Sequence, residues 1–123
     1  MRRKQLPAGL QELLPLTPAV FFVLFSLAEG QKHGYAIMKE TVTLSGGKVR
    51  IGPGTLYATL QRLLDLTLLQ EVPATAAALE RDSRRRYYRL TGSGKTLLEA
   101  ALSHMDSLVR LAKTKKLVPR TAE

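Results

Sequence analysis

Two stretches of this chain carry side chains of a kind that grips a polyanion. From Gly52 to Leu69 the sequence reads GPGTLYATLQRLLDLTLL, in which Thr55, Tyr57, Ala58, Thr59 and Arg62 supply hydroxyls, a small side chain and one cation, with no carboxylate before Asp65. Farther on, Arg81 to Arg89 holds five arginines and one aspartate, interleaved with Tyr87 and Tyr88. The planar fork of arginine matches phosphate oxygens, and short hydroxylated side chains let a helix approach base edges. Total charge agrees, since 19 Lys and Arg against 10 Asp and Glu give +9, a field that draws an anionic partner.

Catalytic residue types do not converge in the same way. His33 and His104 fall in different predicted helices and there is no cysteine, so neither a metal set with nitrogen and sulfur ligands nor a thiolate nucleophile is encoded. Glu40, Asp65, Glu71 and Asp82 are scattered, and the GSGK run at Gly92 lacks the earlier glycine that a phosphate-cradling loop requires. The expectation is a binding protein without a metal or cofactor, and not an enzyme. The absence of cysteine also suits a reducing compartment, here expected to be the cytoplasm.

The elements that must position these side chains are legible from periodicity. Pro53 suits the first position of a helix, where its missing N–H costs nothing, and Leu56, Leu60, Leu63 and Leu64 then recur along one face. Thr17-Pro18 starts an earlier helix predicted to reach about Glu29. Its core, Ala19 to Ala28, has ten residues, too few to cross a bilayer, which takes roughly 20. Because Val20 to Phe25 and Leu27 are apolar nearly all round, that helix should be covered on several sides, by its own domain and by a second subunit.

A further helix spans His33 to about Leu44 and breaks at Gly46-Gly47; the alternation of Lys48, Val49, Arg50 and Ile51 suggests a very short strand after it. Leu68 to Val72 and Arg84 to Leu90 read as two strands, with Tyr88 and Leu90 on one face of the second and Arg85, Tyr87 and Arg89 on the other. Thr91 caps a last helix, expected over Gly92 to Lys116 and ~37 Å long. Leu98, Leu102, Met105, Val109 and Ala112 step by four and three along it, the spacing of a seam between two helices. Ahead of all this lie a basic arm and a short helix around Leu10, Leu13 and Leu14, so the expected division is 1–16, 17–91 and 92–123.

Three blocks, HGYAIMKE at His33, GPGTLYATLQRLLDLTLL at Gly52 and RRRYYRLTGSG at Arg84, stand in the order and at the separations seen in the PadR family, which the chain resembles from about residue 17 to 115. That resemblance implies a mainly α fold with a small β-hairpin wing, namely a winged helix-turn-helix followed by a long C-terminal dimerisation helix. It implies a transcriptional regulator, a repressor as most members are, that binds an inverted repeat in double-stranded DNA as a homodimer. The residues expected on DNA are Tyr35, Lys39, Thr55, Tyr57, Ala58, Thr59, Arg62, Arg84, Arg85 and Arg86. Those expected between subunits are Leu13, Phe21, Phe25, Leu98, Leu102, Met105, Val109 and Ala112.

Relatives often answer to small aromatic compounds, and Phe21, Phe22 and Phe25 with Met105 form a candidate effector site, although core packing is the commoner use of such residues. One departure stands out: Thr67 occupies a position where the family usually has glycine, so the exit of the preceding helix should be tighter or shifted. The competing expectation is a basic module, architectural or RNA-binding, that coats nucleic acid without choosing sequence.

Overall fold

The computed structural model describes residues 6–73 and 85–119. In chain order these form α1 (Ala8–Gln11), α2 (Pro18–Ser26), β1 (Lys32–His33), α3 (Gly34–Leu44), α4 (Pro53–Asp65), β2 (Leu69–Val72), β3 (Tyr87–Leu90) and α5 (Gly92–Thr114). The architecture is mainly helical with a small antiparallel sheet of order β1-β3-β2, and a long helix follows it.

Local chemistry sets the helix starts. The Thr17 hydroxyl accepts the Val20 N–H at 3.3 Å, and the Thr91 hydroxyl accepts the Gly94 N–H at 3.1 Å, each satisfying a donor that the first turn leaves without a helical partner. At α3 the cap is an imidazole: His33 Nδ1 accepts the Ala36 N–H at 3.2 Å. Pro53 opens α4 directly after Gly52. Three helices end alike, with a residue of positive φ just past the cap: Gly46 after α3, Thr67 after α4 and Lys116 after α5. After α4 the Leu68 N–H reaches the Leu63 carbonyl at 2.9 Å and the Thr67 N–H reaches that of Leu64 at 3.0 Å, the paired bonds of a left-handed helix end. Thr67 therefore takes the glycine conformation unshifted, at φ 56°, contrary to the tighter exit expected.

The core lies where α2, α3, α4 and the start of α5 meet the sheet. Leu24, Ile37, Leu56, Leu60, Leu63, Leu68 and Leu97 are almost wholly buried, and Leu6, Leu10, Leu13 and Leu14 pack on this cluster from the N-terminal side. Burial of each such side chain favours folding by roughly 1.5–3 kcal/mol. The polar groups inside are matched locally, Ser26 donating to the Val23 carbonyl and Thr41 to that of Ile37. Gly94 is needed at the junction of α5 and the sheet, because a Cβ there would collide with the Leu68 carbonyl oxygen.

Several boundaries differ from expectation. α2 stops at Ser26 and gives way to successive turns over residues 27–29. No strand forms at Lys48 to Ile51, where the Ser45 hydroxyl takes the Val49 N–H at 2.9 Å and folds the segment back. The third strand of the sheet is instead Lys32–His33, paired with Tyr88 and Tyr87. Phe21 and Leu98, expected between subunits, are 7% and 4% exposed inside this chain; both belong to its own core, which leaves almost none of their surface for a partner.

Candidate nucleic-acid interface

α4 turns Leu56, Leu60 and Leu63 inward, whereas Leu64, expected in the same stripe, is half-buried and lines the cleft described below. Leu56, Leu60 and Leu63 are at most 1% exposed, whereas Thr55, Tyr57, Ala58, Gln61 and Arg62 are exposed and Thr59 is half-buried. Neither of the threonines expected to face outward is enclosed.

Beside α4 the N-terminus of α3 and the strands β2 and β3 enclose an open cleft of about 850 Å³, lined by Tyr35, Tyr57, Gln61, Glu71, Arg85 and Arg86 among others. Of the residues expected on DNA, the fold thus brings Tyr35, Tyr57, Arg85 and Arg86 together. Thr55, Ala58, Thr59 and Arg62 lie outside the cleft on the rest of α4, and Lys39 stands on α3 with its ammonium 5.6 Å from the centre of the Tyr35 ring. Arg84 falls outside the described residues.

Close packing fixes the cleft walls. Gly34 admits the Tyr57 ring against α3, since a Cβ at this position would come within 2.7 Å of the Tyr57 hydroxyl. The His33 ring meets Tyr87 edge-on at 5.4 Å. Because His33 Nδ1 accepts the Ala36 N–H, the neutral ring carries its proton on Nε2. Arg85 Nη1, 3.4 Å from that nitrogen, is therefore a close approach of two donors. Burial and, after it, the Arg85 guanidinium lower the His33 pKa below its ordinary value, as both disfavour imidazolium. Tyr88, opposite Glu71 in the β2–β3 register, has its phenol pKa raised by burial first, then by the Glu71 carboxylate and Tyr57.

Glu71 and Gln61, with His33 and Tyr88, line the cleft without being among the residues expected on DNA. Glu71 accepts from Arg86 Nη1 at 3.1 Å, and Gln61 donates to Asp65 at 2.9 Å. The signal for the first is cross-strand register, which cannot be read before the length of the hairpin is known.

Residues 23–100 match the Transcriptional regulator PadR-like family. The chain belongs to that family. PadR-like proteins are transcriptional regulators, and the winged-helix arrangement of α3, α4 and the sheet is theirs. A PadR family transcription regulator from Clostridium difficile superposes with a TM-score of 0.65 at 21% identity, over 80% of this chain and 97% of the other. BpsR of Bordetella bronchiseptica, solved in connection with regulation of its DNA binding by 6-hydroxynicotinic acid, gives 0.60 at 25% identity over 81% of this chain and 69% of its own. In sequence, an uncharacterized 37.1 kDa protein in transposon TN4556 of Streptomyces fradiae is 39% identical over 90 residues, 73% of this chain. The chain spans only 24% of the length of that relative.

Among the described residues, no helix of this PadR-like chain is long and apolar enough to cross a membrane. Along α5, by contrast, Leu102, Met105, Leu108, Val109 and Leu111 are 37–52% exposed, and Leu13, Phe25 and Ala112 are half-buried.

Proposed function

We propose that this chain is a cytoplasmic repressor that binds an inverted repeat in double-stranded DNA as a homodimer. The observation that carries the reading is the surface of α4, where Leu56, Leu60 and Leu63 are enclosed while Thr55, Tyr57, Ala58 and Arg62 stand exposed without an acidic residue among them. A helix of this width and chemistry fits the major groove. Thr55, Tyr57, Ala58, Thr59 and Arg62 address bases and nearby phosphates, while Tyr35, Lys39, Arg84, Arg85 and Arg86 hold the backbone. Residues 92–123 join two copies through Leu102, Met105, Val109 and Ala112, supported by Leu13 and Phe25. The two copies of α4 then enter grooves about one turn, ~34–36 Å, apart.

The action of 6-hydroxynicotinic acid on BpsR supports a comparable small aromatic effector here, with Phe22, Phe25 and Met105 as the residues that retain surface for it.

Competition gel shifts test the reading, with an inverted repeat from the DNA upstream of the gene against scrambled duplex and structured RNA. The operator should compete at least ~10³-fold better; equal competition by all three identifies a basic module indifferent to sequence. Within the same assay Tyr57→Ala lowers operator affinity by roughly 10-fold, about the discrimination of one base contact. Arg85→Ala weakens every duplex alike and flattens the salt dependence by about one phosphate per subunit. Unaltered operator binding by both variants would place a different face on the DNA.

A further inference from the structure

Among the described residues, Glu71 is the one acidic side chain that lines the cleft between α4 and the strands. It stands on β2 opposite Tyr88, and its carboxylate holds Arg86 at 3.1 Å with the two side chains 42% and 69% exposed. An ion pair so open to water contributes little to folding, so stability does not account for a carboxylate on a surface that otherwise offers Tyr35, Tyr57, Arg85 and Arg86. Its consequence is electrostatic and falls on whatever polyanion approaches.

We propose that Glu71 is a positioning residue that sets sequence discrimination, by restraining Arg86 and withholding its charge from phosphates that are not correctly seated. The inference rests on the DNA-binding reading above and extends it. Non-specific affinity arises from neutralising phosphates, and each cation engaged adds to it whatever the sequence. A guanidinium shared with Glu71 gives less of that term, while contacts between α4 and bases are untouched. The carboxylate therefore lowers binding to random duplex more than binding to operator, which is discrimination by a repulsive element.

The test measures affinity and salt dependence for operator and scrambled duplex with native protein, Glu71→Gln, Arg86→Gln and the double variant. Glutamine keeps the size of the side chain at an exposed strand position, and circular dichroism confirms the fold. For each subunit that engages the duplex, Glu71→Gln should tighten binding to scrambled DNA roughly fourfold, the share of one phosphate contact in an ordinary non-specific complex, and steepen the salt slope by about 0.9. Operator affinity should rise less than twofold, so the specificity ratio falls. With Arg86→Gln already present, Glu71→Gln should no longer alter the slope. Equal gains on both duplexes, an unchanged slope in the single variant, or a gain that survives Arg86→Gln would overturn the proposal. If native protein shows no preference for operator, the DNA-regulator reading fails and this inference with it.

Discussion

α4 and α5 are both amphipathic helices, yet they use their apolar faces in opposite ways. In α4 the stripe is mostly consumed at home: Leu56, Leu60 and Leu63 are buried to within 1% and only Leu64 of its leucines is half-buried, at the cleft. In α5 only the first turns are so covered, with Leu97, Leu98 and Ala101 at 5% exposure or less, whereas Leu102, Met105, Leu108, Val109 and Leu111 continue past the domain at 37–52%. At 23 residues, α5 is ~34 Å long, longer than one small domain can cover. A helix whose apolar face is finished presents what remains to a polar partner; one whose apolar face runs on invites a second copy.

Truncation should separate the two helices by the largest margin. Leu60→Ala removes packing from the centre of the core, and a loss of ~2–5 kcal/mol is expected in urea unfolding. Leu108→Ala, 51% exposed in the single chain, should cost less than ~1 kcal/mol in the unfolding of dissociated protein while loosening self-association. Similar losses for both would mean that the α5 face is covered within one chain.

Association itself gives the next largest effect. Leu102→Glu places a carboxylate in the proposed seam, and sedimentation at micromolar concentration should show a dimer weakened by ~100-fold or more, as an unpaired charge buried there is costly. An intact dimer would remove Leu102 from the interface.

How much could be read beforehand follows from the range of the interactions involved. Pro53 and the leucine spacing place α4 because start signal and periodicity are local, and the Thr17 and Thr91 caps were legible for the same reason. β1 was not, since Lys32–His33 becomes a strand only through pairing with β3, more than fifty residues away. The alternation at Lys48 to Ile51 misled because the Ser45 hydroxyl takes a backbone donor there. In the candidate site, Tyr57, Arg85 and Arg86 follow from residue type and position and Tyr35 from the family resemblance, and the four share one cleft. The Glu71–Arg86 pair needed the register. Likewise, the seam pattern at Leu98 extends into the core of the chain itself, because a heptad spacing is indifferent to which neighbour fills it.

A smaller effect sharpens the contrast at the end of α4. Thr67 holds φ 56°, where a branched side chain is strained by ~1–2 kcal/mol. Glycine would relieve this at the expense of greater freedom in the unfolded chain. Thr67→Gly should therefore stabilise the fold by about 0.5–1 kcal/mol in denaturant unfolding, without altering DNA affinity. A loss of stability would show that the Thr67 hydroxyl, which donates to the Leu66 carbonyl, outweighs the strain.

The division of labour between the two helices is tested most directly by backbone amide NMR during titration with an inverted-repeat duplex. Shifts should concentrate at Thr55, Tyr57, Ala58, Thr59 and Arg62, with Tyr35, Arg85 and Arg86 beside them, while the Leu102 to Leu111 surface stays unmoved. Perturbation of that α5 surface with α4 silent would contradict the account.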